Sequence, residues 1–147
     1  MTYTNSQATA GRGTTLTIGT SPGTLIGEIR SASPTGNKWG TADVTNFESG
    51  INEEFITTIR NNGEVKISGN RVSTDAGQVL VEAAFNSGVL QTFLLTLPKS
   101  PAQTTTGDTY QFFALVESRE FKVEVASAIA WEVSLKCSGA VTYTQGS

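Results

Sequence analysis

Residues 39–70 read WGTADVTNFESGINEEFITTIRNNGEVKISGN. In the last third, Val65 and Ile67 alternate with Glu64, Lys66 and Ser68, the period-two pattern of a half-buried strand with one wet face. Residues 41–47 read as the strand that precedes it. The connection between them is longer than a hairpin needs, and it sets Phe47, Ile51, Phe55, Ile56 and Ile59 among charges. Long loops inside compact domains are uncommon and are as a rule functional or disordered. So many apolar side chains argue against disorder. The stretch therefore predicts a long loop over 48–62 whose apolar residues touch another copy of the same chain.

Upstream, the polar, Gly-containing residues 1–13 read as a flexible arm. Residues 14–20 set Leu16 and Ile18 between threonines, a strand pattern. Ser21-Pro22-Gly23 signals a turn, residues 24–31 a second strand, and residues 33–37 (Ser-Pro-Thr-Gly-Asn) the next turn. Asn61-Asn62-Gly63 is the turn that launches the 64–69 strand.

Downstream, Ala76, Val79, Leu80 and Ala83 fall at i, i+3, i+4 and i+7, which predicts a helix over 74–87 with a narrow apolar face on the flank of a sheet. Asp75 and Gln78 read as its capping box and Gly88 as its C′ residue. Strands follow over 90–97, 110–117, 121–125 and 129–137, with a short one at 141–143. In the 110–117 run, Phe113 and Leu115 are apolar as well as Phe112, Ala114 and Val116, which predicts cover on both sides. The sum is a mainly β domain spanning 1–147, with two packed antiparallel sheets (a β-sandwich or partly open barrel) and one flanking α-helix.

Composition narrows the function. The net charge is −3, and the ten Lys and Arg residues are scattered from Arg12 to Lys136. Tight binding of nucleic acid through phosphates needs clustered cations, which are missing. The chain has no histidine, and so lacks the commonest general base and metal ligand. Its one cysteine, Cys137, permits no internal disulfide and no standard zinc site, and reads as a small core residue. Glu53 and Glu54 are loop neighbours that do not converge on one substrate atom. Gly19, Gly23 and Gly27 lack the Gly-Lys-Ser/Thr of a phosphate loop, and no Gly-x-Ser-x-Gly elbow occurs. Trp39 reads as a core or interface aromatic before a sugar platform. No run approaches the ~18 apolar residues of a membrane span. The expectation is a protein without catalytic centre, cofactor or metal, acting through its surface. Unblocked polar strand edges, the free arm and the apolar loop point to self-association.

A resemblance sharpens this. The ordered segments 25–29 (LIGEI), 42–47 (ADVTNF), 54–56 (EFI), 62–68 (NGEVKIS), 75–78 (DAGQ), 112–125 and 133–139 (VSLKCSG) resemble the major tail tube proteins of long-tailed, lambda-like bacteriophages. The resemblance covers nearly all of residues 14–144. It implies two packed β-sheets with a flanking helix, in hexameric rings stacked into a tube that conducts DNA into the host. It implies a loop reaching the adjacent ring, here carrying Phe47, Ile51, Phe55, Ile56 and Ile59. It makes the polar strand faces with Thr41, Asp43, Thr45, Glu64, Lys66 and Ser68 candidates for the lumen, where DNA slides without specific binding. The implied partners are further copies, a tape measure protein, a tail terminator and a baseplate or initiator protein. The implied location is the virion, after synthesis in the host cytoplasm. Many relatives carry a C-terminal immunoglobulin-like domain, which is not expected here. Two other readings stand beside this one: a type VI secretion-like tube, which shares the fold, and a non-catalytic β-sandwich that binds a ligand or decorates a capsid.

Overall fold

The structure, a computed structural model, describes residues 8–20 and 22–147. It is mainly β, with two antiparallel sheets and one helix, as expected. The strands are β1 (Thr15–Ile18), β2 (Thr24–Leu25), β3 (Ile29–Thr35), β4 (Lys38–Asp43), β5 (Phe55–Asn61), β6 (Glu64–Asn70), β7 (Gln91–Thr96), β8 (Thr109–Lys122), β9 (Ala130–Cys137) and β10 (Thr142–Thr144). Helix α1 (Ala76–Ser87) lies between β6 and β7.

Eight strands form one sheet in the order β2-β1-β7-β8-β9-β6-β3, with β10 pairing with β8 off that path. The two edge strands, β2 and β3, are consecutive in sequence and separated only by Ile26, Gly27 and Glu28. Four peptide steps from Leu25 to Ile29 reach about 14 Å at most. The sheet therefore has to curl until its edges approach, and the result is the partly open barrel. The expected single strand over 24–31 is split by this bend, where Glu28 takes a left-handed φ of 59°.

The core fills the inside of the curl. Leu16, Ile18, Phe93, Leu95, Phe112, Ala114 and Val116 come from one half, and Val65, Ile67, Trp131, Val133 and Leu135 from the other. Phe93 and Phe112 stack with centroids 5.5 Å apart. Cys137 is part-buried against this cluster, opposite Ala114 on β8.

β8 corrects two readings. The expected strand at 110–117 runs on through Phe121 and Lys122 as one strand of 14 residues with a register shift between Val116 and Ser118, and residues 123–125 are not strand. The extra residue swaps parity, so Arg119 and Phe121 turn inward where even-numbered positions did so before. Cover on both sides is also absent: Phe113 and Leu115 are exposed on the outer face. A single chain has no second layer to lay over them.

Helix α1 forms where predicted but is rotated. Its buried residues are Gly77, Gln78, Val81 and Ala84, whereas the expected stripe of Ala76, Val79, Leu80 and Ala83 faces solvent. Gly77 explains the rotation. A Cβ there would lie 2.2 Å from the Leu25 carbonyl oxygen, so the missing side chain lets the helix backbone sit directly on β2. Asp75 caps the helix by accepting from the Gln78 amide at 3.0 Å, and it also accepts from the Gly27 amide at 3.0 Å. The Gln78 side chain does not complete a capping box. It accepts from the Val72 amide at 2.9 Å and the Arg71 guanidinium at 3.3 Å, and donates to the carbonyls of Gly27 at 3.0 Å and Asn70 at 2.9 Å. One buried amide thus ties the helix to the bend between β2 and β3 and to the end of β6. Gly88 closes the helix with φ 66°, as expected.

Of the expected flexible arm, residues 1–7 lie outside the described residues, as does Ser21 of the first expected turn. Residues 8–13 are exposed, and Gly11 starts a turn closed by the Thr14 amide at 3.2 Å.

Candidate functional site

The over-long connection is a hairpin. β4 and β5 pair with one another and with no strand of the large sheet. They prolong the β3–β6 pair, since Thr35 faces Glu64 and then Lys38 faces Asn61. The ribbon breaks at Gly36 and at Asn61-Asn62-Gly63, where Gly63 takes φ 69° and its amide donates to the Asn61 side chain at 2.8 Å. Residues 55–61, expected as loop, are therefore strand, and the connection proper spans 44–54. Threonine, isoleucine and phenylalanine at 55–59 suit a strand. Their sequence hides it because apolar residues stand on both faces, with no alternation to count.

The tip of the hairpin is held by its own polar groups. The Val44 amide donates to the Glu54 carbonyl at 2.9 Å, and the Glu54 amide donates to the Thr45 hydroxyl at 2.9 Å. Asp43 accepts from the Thr45 amide at 2.8 Å, and the Asn46 side chain accepts from the Glu48 amide at 2.9 Å, both Asx turns. The Ser49 hydroxyl accepts from the Asn46 amide at 3.0 Å and donates to the Glu54 carboxylate. The Thr45 hydroxyl first, and its amide second, hold the Asp43 carboxyl below the ordinary aspartate range. With the polar groups turned inward on each other, Phe47 and Ile51 stand clear of the chain at 109% and 100% exposure. Phe55, Ile56 and Ile59 are also exposed, on β5.

The sequence-derived residues distribute over two places. Asp43 pairs with Phe55 and Thr41 with Thr57, so Thr41 and Asp43 share a face of the hairpin with Phe55, while Ile59 falls where the register shifts between Trp39 and Thr41. Ile56 lies on the other face, opposite Ala42. Thr45 belongs to the tip. Trp39 sits exposed on β4 with the Arg60 guanidinium 5.6 Å over its ring, outside the core. Glu64, Lys66 and Ser68 lie on the outer face of the large sheet, away from Thr41, Asp43 and Thr45.

Register adds residues to the second group. Ser33 pairs with Lys66 and Thr35 with Glu64 on one side of β6; Ser134 pairs with Lys66, Lys136 with Glu64 and Glu132 with Ser68 on the other. Glu120 lies opposite Glu132. The outer face of β3-β6-β9 is thus a polar surface of mixed charge, which Glu120 extends onto β8 and which ends at Leu115, opposite Lys136. The alternation in residues 129–137 marked Glu132, Ser134 and Lys136 as a wet face, but only strand order places them beside β6.

The curl leaves an open apolar hollow of about 1010 Å³, bounded by β1, β3, β6, β7, β8 and the bend between β2 and β3. Ile29, Leu97, Tyr110, Cys137 and Val141 line it, with Arg12 and Arg30 at the rim. Burial first, and then the charge of Glu64, push the Cys137 thiol above its ordinary value. Among the described residues, no group of three or more His, Cys, Asp or Glu side chains is placed to hold a metal ion. No helix among them is long and apolar enough to cross a membrane.

A curled antiparallel sheet with a flanking helix and a projecting hairpin defines a known class of fold. No family model and no curated protein matches the chain. Solved structures do. The chain is similar to a chain of the native gene transfer agent virion, with TM-score 0.73 and 17% identity over 93% of this chain and 99% of that one. It is similar to the SPP1 tail tube solved by solid-state NMR and cryo-EM, with TM-score 0.66 and 18% identity over 91% of this chain and 77% of that one. It is also similar to a sheath/tube terminator structure of an extracellular contractile injection system, with TM-score 0.68 and 11% identity over 93% of this chain and 96% of that one. The fold is therefore that of tail tube proteins, as the sequence resemblance implied.

Proposed function

We propose that this chain is a structural subunit that assembles with copies of itself into stacked rings, forming the tube of a phage or phage-like tail. The observation that carries the reading is the hairpin tip, where internal hydrogen bonds hold Phe47 and Ile51 fully exposed in a lone chain. Side chains of this size gain roughly 1.5–3 kcal/mol each on full burial. A second copy that covers them supplies that gain. A tip that docks on a different surface of the next copy makes a head-to-tail contact, and such contacts close into rings or propagate as filaments. The similar solved structures, tails and tubes, support this reading.

In the assembled tube, the outer face with Glu64, Lys66, Ser68, Glu132, Ser134 and Lys136 suits a lumen. Its mixed charges neither grip nor block DNA. Thr41, Asp43 and Thr45 stay with the hairpin and belong to the contact between rings. Six copies per ring, a tape measure protein inside, and terminator and initiator proteins at the ends complete the proposal, with the virion tail as location. Negative-stain microscopy of the concentrated pure protein tests it. Rings or tubes are expected; particles the size of one chain at every concentration overturn it.

A second reading, a tube inside a contractile sheath, is favoured by helix α1, which turns Val79 and Leu80 to solvent. A sheath protein retained on wild-type tubes and lost on Leu80→Asp tubes distinguishes it from a bare tube.

A further inference from the structure

We infer that the apolar hollow at the open end of the barrel is the receptor for the 44–54 tip of a second copy of this chain. The inference rests on the tube reading and adds to it the surface that receives the tip.

Two features of a single chain complement one another. The tip is an apolar knob, with Phe47 and Ile51 fully exposed. It is also acidic: Asp43, Glu48, Glu53 and Glu54 fall between residues 39 and 59, a span without Lys or Arg. The hollow is apolar within and basic at the rim. Ile29, Leu97, Tyr110 and Val141 form its walls, and Arg12 and Arg30 stand at its mouth. Neither arginine forms an ion pair among the described residues. The one carboxylate at the mouth, Glu28, accepts from the Asn70 side chain at 3.2 Å. The β8–β9 connection is the rival knob, with Val123 and Val125 exposed, but Lys122 and Glu124 pair there at 3.3 Å and leave it without a net charge to match the rim.

The volume fits as well. About 1010 Å³ is far more than a folded core leaves empty, and it falls in the range of cavities that take up a ligand or several side chains. Each chain carries one knob and one hollow on different surfaces. A copy that fills its neighbour's hollow keeps its own open for the next copy, which is the condition for a contact that propagates.

The natural cysteine supplies the test. Cys137 lines the hollow and is the only cysteine in the chain. Phe47→Cys and Ile51→Cys are made singly, assembled, oxidised in mildly alkaline buffer, and digested for mass spectrometry. The expected result is a disulfide-linked ladder of chains whose linked peptides join position 47 or 51 to Cys137, with those links absent in the Cys137→Ser background. A charge exchange checks it independently. Arg12→Glu/Arg30→Glu and Glu48→Lys/Glu53→Lys are each expected to raise the concentration needed for assembly about tenfold or more. The variant carrying all four changes is expected to return towards wild type. Tubes that form normally but link only position 47 to 47, or only 51 to 51, overturn the receptor assignment and leave the tube reading standing. So do tubes whose four-charge variant assembles no better than either pair. Wild-type protein that never assembles overturns both.

Discussion

Gln78 carries more of the fold than any other polar residue. It is 1% exposed, and its amide joins the helix to the bend between β2 and β3 and to the chain leaving β6. In Gln78→Ala, the Gly27 carbonyl and the Val72 amide lose their partners, whereas the Asn70 carbonyl keeps the Trp131 indole at 3.1 Å. Two orphaned groups and a cavity predict a loss of about 3 kcal/mol, read as a lowered midpoint in urea. Gln78→Glu should do no better, because an ionised carboxylate has no donor for the Gly27 carbonyl. Asp108 makes a second residue-scale prediction. The Gly146 amide first, at 2.9 Å, and then the Gln103 side chain, at 2.8 Å, hold its carboxyl below the ordinary aspartate value. A depressed folded value means the contribution is complete above the ordinary value and is lost as pH falls through the folded one. Residues 142–147 should therefore loosen in acid below about pH 4. Amide exchange at Gly146 should rise there, and in Asp108→Asn it should already be raised at neutral pH.

At the scale of elements, helix α1 shows what a sequence pattern carries and where it stops. Spacing located the helix, its Asp75 cap and its Gly88 end. It chose the wrong face, because the i, i+3, i+4, i+7 stripe counts apolar side chains, whereas this helix is seated by one missing at Gly77 and by a polar amide. The two faces can be told apart by mutation. Leu80→Ser should change stability by no more than about 0.5 kcal/mol, whereas Val81→Ala, in the core, should cost about 1–2 kcal/mol. Both are read from chemical denaturation. The hairpin was half legible for a similar reason. The apolar content of residues 47–59 marked them as a candidate contact surface, but β5 pairs outside the main sheet and both its faces are exposed, so no period marks it as strand. Gly63 was legible as a turn, and its geometry shows why: a Cβ there would lie 2.0 Å from the Thr35 carbonyl oxygen. Gly63→Ala should splay the ribbon where β3–β6 becomes β4–β5, visible as faster amide exchange across β5.

For the whole molecule, the strands and much of the core were readable from alternation at Leu16, Val65 and Val133. The choice of barrel over sandwich was not, because the closeness of β2 and β3 depends on strand order, which no local pattern encodes. The same holds for the polar face that adds Glu132, Ser134 and Lys136 to Glu64 and Lys66. What a single chain leaves bare is consistent in character: the hairpin tip, the outer apolar pair of Phe113 and Leu115, and the open hollow are surfaces that a lone soluble domain gains nothing by exposing. The proposed assembly of many chains would cover all three. Sedimentation velocity over a concentration series, wild type beside Phe47→Asp/Ile51→Asp, measures this most directly. The account predicts wild-type protein that moves into ring-sized and larger species as concentration rises, while the folded variant stays a monomer. Identical profiles for the two proteins would contradict it.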